Sequence, residues 1–417
     1  MLTRRELLRA SVRLLPVVAS GGLAAAVASR AAAAGRLEEL LSTAPRARWW
    51  TSVAEAGADC AACHADSSAA GPSLRQPAGL ALRQPAGLAH QHPAGLVQCG
   101  LCASRCAILP GRAGACRARF NAGGELRSLV YGRPLAVHRD PIEKKPFFHF
   151  LPGAEAYSIG TAGCPLRCRF CQNWQLSQAR PEDQLVPLRP PAGLVADAAA
   201  WHDPVIAFTY NEPTVQAEYL LDVAAAARAA GLRTVMVSCG IMSEAPLAEL
   251  CRALAALKID LKGFSPEFYR EVCGAELQAV LRSIKQAARS GVHLELVNLV
   301  VPTLNDSRPM LEGLVRWVLG ELGPDVPVHF TRFHPDYLLQ NLPPTPVATL
   351  ERARDVAMAA GIRYAYVGNV PGHPGSHTYC PRCGKIVVAR SSFFVTANDL
   401  DAGRCRFCRH PIPGVWS

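Results

Sequence analysis

From about residue 154 to 370 the chain alternates short apolar runs with amphipathic helical stretches, and few folds accept that alternation. Parallel strands need a crossover between them, usually a helix, so strand–helix–strand repeats point to a parallel sheet. Strands are expected over 156–161, 204–209, 234–238, 257–261, 292–301 and 326–333, with 363–367 as one more. Helices are expected over 214–230, stopped by Gly231, and over 246–256 and 349–360. Ser265-Pro266 offers a cap followed by proline in the first turn, and Asp306 or Ser307 caps a further helix. Six or so units make an open, partial (β/α)6-type TIM barrel of the α/β class rather than a full eight. The 417 residues, half of them apolar, suffice for one such domain with small appendages.

The first strand runs into GCPLRCRFCQN, which holds Cys164, Cys168 and Cys171 at C-x3-C-x2-C spacing. Each iron of a cubane iron–sulfur cluster normally takes one cysteine thiolate, so three thiolates leave one iron open. An open iron can bind and reduce a small molecule, which reads as catalysis rather than electron storage. The alternatives are three unrelated buried thiols or half of a zinc site; a zinc site needs a fourth ligand at close spacing, and none is near. Chemistry on such barrels lies at the carboxyl ends of the strands. Polar residues stand at those ends here: Thr209 to Thr214, Ser238-Cys239-Gly240, Asp260 and Lys262, Asn305 and Asp306, then Arg332 and His334.

Twelve of the sixteen cysteines fall in tight C-x2-C or C-x3-C clusters, which suit metals better than crosslinks. Cys99, Cys102, Cys106 and Cys116 form a first module that fits a closed zinc site or a second cluster. Cys380, Cys383, Cys405 and Cys408 close the chain as two C-x2-C pairs 21 residues apart, a zinc-ribbon or rubredoxin-like pattern for zinc or iron. Cys239, Cys251 and Cys273 read as buried small hydrophobes. Between the first module and the barrel, RDPIEKKPFFHFLPG packs Asp140, Glu143, Lys144 and Lys145 between two prolines. It reads as a solvated turn, and its place before the cluster strand leaves open a role at the mouth of a site.

The chain begins with Thr3-Arg4-Arg5-Glu6-Leu7-Leu8-Arg9, like a twin-arginine export signal, followed by a charge-free stretch and small residues at 31–34. Cys60, Cys63 and His64 match the c-type haem attachment pattern. Residues 74–97 are three copies of an octapeptide, LRQPAGLA twice and HQHPAGLV once, too short for a solenoid core and punctuated by Pro and Gly. The expected organisation is a signal segment at 1–36, a low-complexity insert at 37–97, a cysteine module at 98–150, the barrel at 151–371 and a ribbon at 372–417. The net charge of +11 is concentrated in 1–36 (+5), 99–150 (+6) and 380–417 (+4), which leaves the barrel slightly acidic and argues against nucleic acid.

From about 97 to 417 the chain resembles the radical S-adenosylmethionine (SAM) member of the AmmeMemoRadiSam system, a group similar to the activating enzymes of pyruvate formate-lyase and other glycyl-radical enzymes. The passages that carry the resemblance include CGLC with GACRAR, DPIEKKPFFHFLPG, GCPLRCRFCQNWQLSQ, TYNEPT, IDLKGFSPEFYREVCGA, HFTRFHPDY, YVGNVPGH, TYCPRCGK and IPGVW. The resemblance implies that Cys164, Cys168 and Cys171 hold a 4Fe–4S cluster whose open iron takes SAM. It implies reductive cleavage to a 5′-deoxyadenosyl radical that abstracts hydrogen from a protein or small molecule. Glu212 stands where the superfamily meets the SAM amino group, and Ser238, Asp260 and Lys262 stand near its ribose and carboxylate positions. A one-electron donor protein and a Memo-like or glycyl-radical protein are the implied partners. Such chemistry draws on cytoplasmic SAM, which conflicts with the export-like start. The competing reading is a multi-centre carrier with haem, cluster and ribbon in series.

Overall fold

The computed structural model of the protein describes residues 32–53 and 93–417. The signal-like residues 1–31, the haem-like Cys60, Cys63 and His64, and nearly all of the octapeptide array lie outside the described residues. The core is one eight-stranded sheet: β1 Ala136–Pro141, β2 Glu155–Gly160, β3 Val205–Phe208, β4 Arg233–Ser238, β5 Ala256–Asp260, β6 His293–Val300, β7 Val328–Arg332 and β8 Ala365–Gly368. Strands β2 to β8 run parallel in chain order, and β1 pairs antiparallel on β2. The strand expected at 363–367 thus forms as a seventh parallel member. β1 falls within the span expected for the cysteine module at 98–150, yet it belongs to the barrel sheet and covers the edge of β2.

Six helices cross between the parallel strands: α1 Pro191–Ala200, α2 Ala217–Ala229, α3 Glu244–Ala253, α4 Leu277–Ser290, α5 Arg308–Leu322 and α6 Val347–Ala360. One strand face, with Tyr157, Ile159, Ile206, Phe208, Met236, Leu257 and Ile259, packs against this helical layer. The other face carries Ala156, Ala207, Val235 and Ala256, and Ile142, Phe147 and Phe150 plug it. Both faces are therefore covered, which is why the strands read as near-continuous apolar runs. α1 follows Pro190-Pro191, a pair that reads as a breaker but here supplies proline at the first helical position. The Ser265 hydroxyl accepts from the Phe268 N–H as expected, yet that helix ends in a wide turn at Gly274 (φ 68°), and α4 starts only at Leu277.

Residues 37–53, expected within the insert, instead belong to the folded body. A helix at 32–43 buries Leu40 and Ala44 against Leu129. The strand Trp50–Ser52 pairs with Val97–Cys99, which pairs in turn with Ala107–Ile108. The apolar cover that orders this segment comes from the module.

The charge-dense segment after β1 is also not a solvated turn. Asp140, Glu143, Lys145 and His149 are all buried. The backbone N–H groups of Phe148 and His149 donate to the carboxylate of Glu295 on β6, and His293 and His329 bring Nε2 within 3.0 and 2.7 Å of it. Burial pushes the Glu295 carboxyl up, but the two histidines outweigh it and hold the group well below its usual range. The ribbon is stitched to the same strap: Arg390 Nη2 donates to Phe148 O (2.7 Å), and Val415 N donates to His149 O (2.8 Å).

Candidate active site

β2 ends at Gly160 and hands the chain to the cysteine loop. Gly163 sits at φ +92°, and a Cβ there would lie 2.3 Å from the Cys116 carbonyl oxygen, so the loop turns only because this residue is glycine. Asn211, from the loop after β3, clamps it by donating Nδ2–H to Gly163 O (2.6 Å). The far side is tied down by backbone bonds from Arg167 N to Cys273 O and from Arg169 N to Val272 O, both 2.9 Å. Arg117 Nη2 donates to Ser177 O (2.7 Å) and Gln178 Oε1 (3.0 Å), which locks the short helix Trp174–Ser177 behind the loop. Ser177 Oγ in turn lies 3.3 Å from Cys171 Sγ.

The loop faces a cavity of about 660 Å³, within the usual range for a small-molecule site. Cys164, Cys168 and Cys171 line it together with Ser238, Asp260 and Lys262, so the thiols and three of the four other predicted residues share one chamber. Asp260 is gripped by two ammonium groups, Lys258 Nζ at 2.7 Å and Lys262 Nζ at 2.9 Å. Burial raises the Asp260 carboxyl, but the two lysines outweigh it and keep it ionised far below the usual carboxylate range. Lys144, Lys145 and Tyr210 also line the chamber, and all three donate to Asp140, the first and last at 2.6 Å. Burial pulls the Lys145 ammonium down to about 8, against the opposing pull of Asp140.

Glu212 departs from the expectation. It does not line the cavity. Its fully buried carboxylate accepts from Thr214 N (3.1 Å), the Thr214 hydroxyl, Ser238 Oγ (2.9 Å) and Cys239 N (2.5 Å). Those bonds use about the four acceptor positions a carboxylate has. Glu212 therefore holds the β3 and β4 loops together from behind the wall instead of presenting an oxygen to the chamber.

Two cysteines read as plain hydrophobes stand at the site. Cys239 lines the chamber with its thiol against Cys164, and the Cys273 carbonyl oxygen lies 3.9 Å from Cys168 Sγ. Cys239 lies at the end of β4 beside Ser238, where the strand-end reading also placed it, although its thiol was read as a plain hydrophobe. Nothing in the sequence marks Cys273, which arrives through the turn before α4.

The three loop thiols suit an iron–sulfur cluster: the donor set is sulfur alone and the loop is pre-formed. Among the described residues, the C-terminal quartet is the one group of three or more ligand atoms lying within 4.8 Å of one another, so the loop thiols are not drawn together as on a single ion. A parallel partial barrel with such a loop at its carboxyl mouth defines an iron–sulfur enzyme of the α/β class. The sequence pattern described as the Radical SAM superfamily matches residues 158–313, and the chain belongs to that superfamily. It is 42% identical over 320 residues to an uncharacterized protein of Methanocaldococcus jannaschii, covering 76% of this chain and 95% of that one. Among solved structures it is similar to a domain of a pyruvate-formate lyase-activating enzyme from Bacteroides vulgatus, with 15% identity, 39% of this chain, 98% of that chain and a TM-score of 0.35. A radical SAM methyltransferase from Sphaerobacter thermophilus shows 16% identity, 52% and 67% coverage and a TM-score of 0.41.

Proposed function

We propose that Cys164, Cys168 and Cys171 ligate three irons of a 4Fe–4S cluster and that the chamber beside them binds SAM and a substrate from which hydrogen is abstracted. The observation that carries this reading is the single chamber shared by the three thiols, Ser238, Asp260 and Lys262. Held by these three thiolates and supplied by a one-electron donor, the cluster would provide the electron for reductive cleavage of the sulfonium C–S bond of SAM to methionine and a 5′-deoxyadenosyl radical, with hydrogen abstraction from the substrate to follow.

The chain's own residues bind and orient. Lys262 and Lys258 supply positive charge for an anionic end, and Asp260 spaces the two ammonium groups by accepting from both. The Ser238 hydroxyl donates to Glu212 and accepts from Gly240 N (2.9 Å), so Glu212 fixes the Ser238–Gly240 turn that forms one wall. Ser392 and Phe393 of the ribbon, with Glu143 and Lys144, also line the chamber and take up space that water would otherwise fill. The ordered series of matching passages supports membership of the AmmeMemoRadiSam group and a Memo-like protein as partner. The spacing within the C-terminal quartet supports zinc as its resident ion.

Anaerobic incubation of the reconstituted protein with SAM and dithionite, followed by mass analysis, should yield methionine and 5′-deoxyadenosine. Cys168→Ala should abolish both the cluster and that product. Cys239→Ser should leave product formation within about twofold, since Cys239 flanks the cluster without ligating it. Undiminished deoxyadenosine from Cys168→Ala would falsify the proposal.

A further inference from the structure

The thiols of the amino-terminal module surround a small void of their own. Cys99, Cys102, Cys106 and Cys116 all line it, with Arg119 and Pro165 completing part of the wall. The backbone brings them there. Cys99 N donates to Cys106 O (2.9 Å), closing the strand pair that carries the first three. Gly114 N donates to Arg119 O (2.8 Å) and Arg117 N to Gly114 O (2.9 Å), turning the chain so that Cys116 returns to them. Cys99, Cys102 and Cys116 are buried, and Ala115 N points to Cys106 Sγ at 3.4 Å.

The spread of the sulfurs distinguishes one ion from a cluster. Four thiolates on one tetrahedral zinc, each at 2.3 Å, stand about 3.8 Å apart. No three of the module's four sulfurs lie within 4.8 Å of one another, a test the C-terminal quartet passes. In a cubane each thiolate takes its own iron, so the sulfurs stand farther apart. A second observation points the same way. Arg119 is 1% exposed and lines the void; its Nη atoms hold Glu218 at 2.6 and 2.7 Å, yet its Nε makes no hydrogen bond among the described residues. A buried guanidinium with an N–H to spare suits an anionic sulfur-rich group.

We propose that Cys99, Cys102, Cys106 and Cys116 hold a second 4Fe–4S cluster, closed because every iron has a thiolate, and set against the catalytic loop. Pro165, next to Cys164, lines its void, and the Cys116 carbonyl oxygen packs on Gly163. A closed cluster offers SAM no iron, so the two centres respond differently to it.

The test is the full chain, purified anaerobically and reconstituted with iron and sulfide. The acid-labile sulfide count should be about eight per chain, four for each cubane. A single iron in the C-terminal quartet would add no sulfide, so the count is not confused by it. In the dithionite-reduced protein, electron paramagnetic resonance should show two signals, and adding SAM should move one of them. Cys164→Ala, Cys168→Ala and Cys171→Ala combined should leave about four sulfides and only the SAM-insensitive signal; adding Cys102→Ser should remove that too. A wild-type count of about four with only a SAM-responsive signal, zinc in place of iron in the module, or a SAM-insensitive signal that survives Cys102→Ser each overturns the proposal. Where the variants do not fold, the wild-type count and its response to SAM still decide. Loss of the catalytic cluster alone would leave the SAM-insensitive signal standing, so failure of the radical SAM reading is told apart from failure of this one.

Discussion

Each end of the described chain carries four cysteines, and the two quartets are built differently. The C-terminal one is tight: Cys380 and Cys408 sulfurs stand 3.5 Å apart, and Cys383 and Cys405 sulfurs 3.7 Å apart. Those distances are close to the roughly 3.8 Å expected around one tetrahedral zinc. It is shaped locally, by knuckle bonds such as Gly384 N to Cys380 O (2.9 Å) and Arg409 N to Cys405 O (2.8 Å), and Cys383 is exposed. The amino-terminal quartet is wide and mostly buried, and it is shaped by the barrel: Ala103 N donates to Ile241 O (2.8 Å), Ser243 N donates to Leu101 O (3.1 Å), and Cys116 lies on Gly163. Four thiols in a sequence announce a metal. Their spread in space selects the kind of metal, and what holds them selects which part of the protein depends on it.

The largest consequence falls at the tight end. With zinc in the ribbon as proposed, Cys405→Ser should release it and unfold 372–417, because binding energies of about 10–16 kcal/mol for structural zinc are largely folding energy. Metal analysis should show zinc lost with iron and sulfide unchanged, and hydrogen exchange should show protection lost over the ribbon alone. Loss of iron along with the zinc would break the contrast, since it would make the ribbon a support for the clusters.

The wide end should fail in the opposite way. Gly163→Ala places a methyl group 2.3 Å from the Cys116 carbonyl at a left-handed φ of +92°. Strain and displacement together should cost about 3–5 kcal/mol. Because the shift separates the module from the catalytic loop, the iron and sulfide of the two proposed clusters should fall while the zinc proposed for the ribbon stays. A variant that keeps its full iron and sulfide content would show that the two loops hold their thiols independently.

Much of this was legible in the sequence, and the rest was not for definite reasons. Cysteines clustered in short loops stay close in space, so the two quartets and the Cys164–Cys171 loop, each of which the fold brings together, could be grouped from spacing. The barrel could be read because β/α periodicity survives wherever both strand faces are covered. The buried charges at 140–149 could not: Asp140, Glu143 and Lys145 look solvated until Tyr210, Arg390 and Glu295, 70 to 247 positions away from the groups they meet, close over the strap. Glu212 was found in the right loop, but its inward bonds to Thr214, Ser238 and Cys239 were not legible, because a motif fixes the backbone position and not where the carboxylate turns. The ordering of 37–53 likewise depends on partners far along the chain, among them Glu218 and Glu249, which accept from Arg48 N (2.7 Å) and Trp49 Nε1 (3.1 Å).

The smallest expected effect tests how the ribbon is joined to the barrel. Glu143 is fully buried, 3.5 Å from Arg390 Nε, and accepts from Gly153 N at 3.1 Å. Burial pushes its carboxyl up to about 7, and Arg390 only partly opposes that. The folded state therefore holds this proton more tightly than the unfolded chain, whose glutamates titrate near 4.3. The stability contributed by protonated Glu143 is full below that value and is lost as pH rises through about 7. Glu143→Gln keeps the shape and removes the titration. Between pH 4.5 and 8 the wild type should lose stability relative to this variant, on the order of 2 kcal/mol, read from urea unfolding midpoints at the two pH values. The metals proposed for both quartets should stay throughout, because the change concerns the joint between ribbon and barrel and leaves the thiols untouched. Parallel pH curves for the two proteins would mean that Arg390 keeps Glu143 ionised in the fold, and the ribbon would then be held by a buried ion pair rather than by a shared proton.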